Sequence, residues 1–134
     1  MRYQWITTVA GISILLLLGA CTNRPPAAES IEDKVARHGF AIGAQVNRVN
    51  NFQINSWNMV DRKNAIIFVG ASRRYLITTR NPCDGLADTE VLNYSTTAGN
   101  LTDKDKLLLR RSPSAGRMES CFIDTIYELE KIRN

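Results

Sequence analysis

Histidine is almost missing from this chain, with one residue, His38, in 134. A hydrolytic triad needs an imidazole or an equivalent base beside its nucleophile. A zinc site wants three or four Cys and His ligands at close spacing. His38 stands near the N-terminal side, with no Gly-x-Ser-x-Gly turn beside it, and reads as a helix-capping residue. Cysteine is scarce as well: there are three, none at the Cys-x-x-Cys spacing that lowers a thiolate pKa. No glycine-rich loop is available to cradle a phosphate, and no internal repeat is visible. The charge surplus is small, 17 basic against 13 acidic residues, which argues against a nucleic-acid partner. No metal or other cofactor is expected. The longest uncharged apolar run, Ile6 to Leu18, holds thirteen residues, short of the ~20 that a bilayer-crossing helix requires.

What is present begins with that run. Arg2 and the free amine precede it, and small residues with an abrupt rise in polarity follow, the layout of a secretory signal. It closes on Leu18-Gly19-Ala20-Cys21, an aliphatic residue, two small residues and a cysteine. This resembles the lipobox of bacterial lipoproteins, over residues 1–22. The resemblance implies a cut before Cys21, a diacylglycerol on its thiol and an acyl chain on the new amine. Two or three acyl chains give lasting attachment where one is marginal, so the membrane is an expected partner through the N-terminal lipid. Thr22 stands where the inner-membrane retention pattern of Gram-negative lipoproteins has Asp. The resemblance therefore implies the outer membrane, facing the periplasm.

On this reading the chain divides into a cleaved signal, 1–20, a lipidated tether, 21–30, and one small domain, 31–134. The stretch 22–30, polar and rich in Pro and Ala, reads as extended. Cleavage leaves 114 residues with a net charge of +3, enough for one domain and not two. Cys83 and Cys121 remain as an even pair in an oxidising compartment, where a disulfide is the default. Its loop of about 39 residues corresponds to about 4 kcal/mol in the loop-entropy model. A whole small domain is stable by only ~5–15 kcal/mol.

Ser30-Ile-Glu-Asp33 sets a hydroxyl three residues before an acid, close to a capping box. Ile31 and Val35 follow at helical spacing and Gly39 offers a stop, so a short helix over 31–38 is predicted. Strands are expected afterwards: 52–60 around Ile54 and Trp57, 65–69 apolar on both faces like a central strand, and 73–79 rich in β-formers. Asp61–Asn64 and Gly70–Ser72 are the turns of this meander. Asn81-Pro82 interrupts it, and Cys83–Ala87 forms a turn or one helical loop. Residues 89–95 and 106–111 read as two more strands, with 112–117 looping out. The last stretch fits two periods. Cys121, Ile123, Thr125, Tyr127 and Leu129 share one face of a strand, whereas Phe122, Ile126, Leu129 and Ile132 fall near helical spacing. Its β-branched and aromatic content favours a strand to about Tyr127. The expected fold is mainly β, of α+β type. It has a short N-terminal helix and a five- or six-stranded antiparallel sheet, curled or closed into a small barrel to bury its edges. One disulfide ties the end of the meander to the last strand.

Trp57, Asp61, Tyr75-Leu76, Cys83, Leu86, Cys121, Ile123 and Ile126 resemble the pattern of a family of small exported bacterial domains of unknown function, over roughly residues 50–127. The resemblance implies the fold and assigns no activity. Two arginine pairs stand out: Arg73-Arg74 with Arg80, and Arg110-Arg111 with Arg117. On neighbouring strand ends they would form one patch able to grip phosphate or carboxylate; a solvated, edge-protecting row of charges is the alternative. Asp103-x-Asp105 lacks the glycine and the distant glutamate of a calcium loop and reads as a solvated turn. The expected function is a non-catalytic, lipid-anchored module that binds an envelope protein or an anionic envelope component. An inhibitor of lysozyme-type hydrolases is the first alternative. An enzyme built on a carboxylate among Asp61, Asp84, Asp88, Asp103 and Asp124 is the second.

Overall fold

The computed structural model describes residues 27–89, 91–96, 99–110 and 118–133. Cys21, the signal segment, Arg111 and the loop 112–117 lie outside these residues.

Helix α1 (Ile31–Arg37) starts where the capping pattern places it. The Ser30 hydroxyl accepts from the Asp33 N–H at 3.1 Å and donates to the Asp33 carboxylate at 2.9 Å. It ends one residue before the expected 38. His38 is its exposed C-cap, and Gly39 turns the chain at φ +83°, a conformation in which a side chain would be strained.

Nine strands follow: β1 (Phe40–Val46), β2 (Arg48–Val49), β3 (Ile54–Met59), β4 (Asn64–Val69), β5 (Arg73–Thr79), β6 (Val91–Ser95), β7 (Leu101–Thr102), β8 (Lys106–Arg110) and β9 (Met118–Lys131). A 3-10 turn, Asp84–Ala87, falls between β5 and β6. Six strands form one antiparallel path in the order β3-β4-β5-β9-β8-β6, and β1 joins β9 as a seventh. β2 and β7 make a separate two-residue ladder. The sheet curls without closing, so that β3 and β6, the two ends of the path, face one another unpaired. The mainly β fold read from the sequence is the fold observed.

Two apolar layers explain why 65–69 lacks a polar face. Ala65, Ile67 and Val69 of β4, with Tyr75 and Ile77 of β5, point into the curl, where they meet Leu107, Leu109 and Ile123. Ile66 and Leu76 point the other way and are covered by Val35 of α1, with Phe40 and Leu129. Val35 is fully buried, and burying a side chain of that size stabilises by about 1.5–3 kcal/mol. About two turns of helix are therefore enough to seal the outer layer.

The final strand is longer than expected, running to Lys131 rather than to about Tyr127. β1 supplies the partner that extends it, through pairs such as Phe40–Lys131 and Ile42–Leu129. A register shift opposite Thr78 and Thr79 sets Asp124 out of line, as a bulge does. Before it, Cys121 and Ile123 face the inner layer; after it, Tyr127 and Leu129 face the outer one. The apparent helical spacing of Phe122, Ile126, Leu129 and Ile132 marks no shared face: Ile126 points into the inner layer, Leu129 into the outer one, Phe122 is exposed, and Ile132 lies beyond the strand. β1 itself carries a second irregularity. A Cβ on its Gly43 would stand 3.1 Å from the Glu128 carbonyl oxygen, a tight approach that glycine relieves.

Cys83 and Cys121 form a disulfide with their Cα atoms 6.0 Å apart. It joins the segment after β5 to the inner face of β9. The Cys83 N–H also donates to the Arg62 carbonyl at 2.6 Å, tying the same segment to the β3–β4 turn.

Candidate functional site

The unpaired ends of the sheet define the most distinctive surface. Among the described residues, no strand pairs with the outer edge of β3 or of β6. Between them lies a groove of about 380 Å³, with Asn55, Ser56 and Trp57 on one lip and Leu92, Asn93 and Tyr94 on the other. Among the described residues no charged side chain lines it. Its inner wall is the apolar core, since Ile54, Trp57, Leu92 and Tyr94 all pack on that layer. One clasp joins the two lips. The Tyr94 hydroxyl donates to the Phe52 carbonyl at 2.9 Å, and the two rings meet edge-on at 4.6 Å. Phe52 is held in turn by its N–H donating to the Gly99 carbonyl at 2.9 Å, beside the β2–β7 ladder. Exposed strand edges with unmet backbone donors and acceptors are templates for another strand. This groove has one on each side.

A second concavity, of about 420 Å³, lies beside α1 and is lined by Glu32, Lys63, Asn64, Thr78, Asp124 and Tyr127, among others. Next to its lining residues Lys63 and Asn64, Asp61 organises the β3–β4 turn. One carboxylate oxygen accepts from the Lys63 N–H and the Asn64 side-chain amide, both at 2.8 Å; the other accepts from Lys34 Nζ of α1 at 2.7 Å. Burial, the largest single effect, pushes the Asp61 carboxyl up. The hydrogen bonds and the Lys34 charge outweigh it and hold the group below its ordinary 3.8. The Thr78 hydroxyl is committed to the Asn64 side-chain oxygen at 2.7 Å. The arrangement staples helix to turn.

Of the two arginine pairs of the sequence reading, the described members Arg73-Arg74 and Arg110 do not meet. Both relate to β9 by register. Tyr75, next to Arg74, pairs with Glu128, while Arg110 pairs with Met118. Ten residues of strand separate those rungs, on the order of 30 Å. Arg73 is spent bracing a turn, donating to the Asn50 and Asn51 carbonyls at 2.7 and 3.0 Å. Arg74 lies over the Phe40 ring at 5.5 Å. Arg110 is exposed at the end of β8, and Arg111 is outside the described residues. Asp105 accepts from the backbone N–H and the hydroxyl of Thr102, at 2.7 and 2.9 Å, closing the β7–β8 turn. Glu119 lies with the sulfurs of Cys83 and Cys121 inside a 4.8 Å cluster. Bonded to each other, the sulfurs offer no thiolate to a metal. The groove went unseen in the sequence because curvature creates it. Asn55, Trp57 and Tyr94 carry no spacing that announces two free edges.

Fold and groove together define a small, mainly β domain, tied by one disulfide and left open along one seam. The chain belongs to a family of unknown function (DUF6491), whose model matches residues 4–133. No curated protein and no solved structure matches it. Among the described residues no helix is long and apolar enough to cross a membrane.

Proposed function

We propose that this protein is a lipid-anchored binding module of the bacterial envelope, attached through Cys21 to the outer membrane and facing the periplasm. Its seam between β3 and β6 receives an extended segment of another envelope protein. The observation that carries the reading is the open seam: two free strand edges flank a groove floored by Trp57, Tyr94 and the core, with no charged lining among the described residues. A strand added there would gain backbone hydrogen bonds for affinity, with pockets for alternate side chains supplying specificity. The Pro/Ala-rich tether would let the domain reach a partner some distance from its anchor.

The test is affinity capture from detergent-solubilised membranes. The intact chain should retain a reproducible protein that a Cys21→Ala control does not. Ser56→Lys with Asn93→Lys, which sets a charge on each lip, should release it while leaving the melting temperature within a few degrees. Finding no partner above the control, or a partner that both lip charges leave in place, would count against the reading.

A further inference from the structure

The outer surface of the β8–β9 pair differs from the rest of the sheet. Inward, Leu107, Leu109, Cys121 and Ile123 are buried; outward, no element covers the alternate positions among the described residues. Two of the largest outward side chains there are apolar and exposed, Phe122 at 47% and Met118 at 42%. Lys106 pairs with Phe122 across the ladder, and its ammonium lies 4.7 Å from the ring centroid. The Arg80 guanidinium flanks the same ring at 5.8 Å. Arg110 pairs with Met118 at the other end of the ladder. The positions between are Leu108 and Ser120, so no acid stands among them. Asp124, further along β9, lines the cleft beside α1 instead.

We infer that this face docks on an anionic lipid surface. Phe122 and Met118 enter the interfacial layer, and Arg80, Lys106 and Arg110 meet the headgroup phosphates around them. Exposed apolar side chains ringed by cations are the chemistry of interfacial membrane binding. Each basic residue near an anionic surface strengthens the association about fivefold, and salt screens the effect. Charge complementarity picks the anionic bilayer, and the exposed ring picks a lipid interface over a soluble anion. The inference concerns how the domain lies on its membrane, a matter separate from what the seam binds.

The test uses the full chain carrying Phe122→Trp, bound to vesicles whose phosphatidylcholine has brominated acyl chains, with or without added phosphatidylglycerol. The unsubstituted chain supplies the background, which after removal of residues 1–20 comes from Trp57. The residue 122 emission should be quenched in the phosphatidylglycerol vesicles and recover at high salt. Adding Arg80→Gln, Lys106→Gln and Arg110→Gln lowers the docking equilibrium roughly a hundredfold and should abolish the quenching, with the melting temperature unchanged. No quenching in anionic vesicles, equal quenching in phosphatidylcholine alone, or quenching that survives the triple substitution overturns the inference. The readout reports on residue 122 and not on attachment, so its failure leaves the anchor and the seam untouched.

Discussion

Strand β9 is built as two different strands. Its second half, from Thr125 on, is paired on both edges: Ile126 and Tyr127 face Val46 and Gln45 of β1 on one side, Ile77 and Leu76 of β5 on the other. It sends a buried side chain into each layer, Ile126 into the inner one and Leu129 into the outer one under α1, while Glu128, Glu130 and Lys131 stay exposed. The first half, Met118–Phe122, pairs with β8 and keeps an outward face of cations and exposed apolar groups. The bulge at Asp124 separates the two. One half is thus spent on holding the domain together, while the other presents surface. Changes to the outward residues of the first half, Met118 and Phe122, and at the seam should alter binding at little cost in stability, whereas changes to the buried residues of β9, Cys121 among them, should do the reverse.

The largest expected effect breaks the structural side. Reducing Cys83–Cys121 removes a constraint of about 4 kcal/mol, so the melting temperature should fall by about 15 °C or more. An unchanged melting curve in reductant, with both thiols then shown free, would refute the structural role. Next comes Leu129→Ala, at a site only 8% exposed. It should cost about 2–4 kcal/mol in denaturant unfolding. A loss under 1 kcal/mol would mean that α1 does not seal the outer layer.

Asp61→Asn should cost about 1–2 kcal/mol near neutral pH by weakening the staple between α1 and the β3–β4 turn. Because the folded-state pKa of Asp61 is lowered, its contribution is fully present above the unfolded value near 3.8 and is lost as pH falls through the folded value. The gap between wild type and Asp61→Asn should therefore narrow below about pH 4. A constant gap down to pH 2 would remove the electrostatic account. The smallest effect sharpens the comparison. Phe122→Ser, on the presenting half of the same strand, should change stability by less than about 0.5 kcal/mol, although it removes a larger side chain than Leu129→Ala does.

Much of the fold was legible in the residues. The cap at Ser30, the doubly apolar 65–69 and the β-rich 73–79 each state their environment locally, and the single cysteine pair among the described residues leaves one pairing. β1 was not legible. Phe-Ala-Ile-Gly-Ala-Gln-Val has two small residues at its centre, and the irregularity at Gly43 mixes its faces. The reach of β9 to Lys131 was hidden for the same reason, since β1 is its partner. The candidate site was barely legible. Register along β9 decides that Arg73 and Arg110 stay apart while Arg110, Lys106 and Arg80 share one surface with Phe122, and register depends on pairs far apart in sequence. The seam depends on curvature, which no short motif encodes.

Both proposed surfaces have meaning only if the domain works beside a bilayer outside the cytoplasm. Intact-mass measurement of the protein recovered from cells tests this most directly. The expected species begins at Cys21, lacks residues 1–20, carries diacylglyceryl and acyl groups, and sits in the envelope fraction. An unmodified chain still beginning at Met1, recovered from the cytosol, would contradict the account.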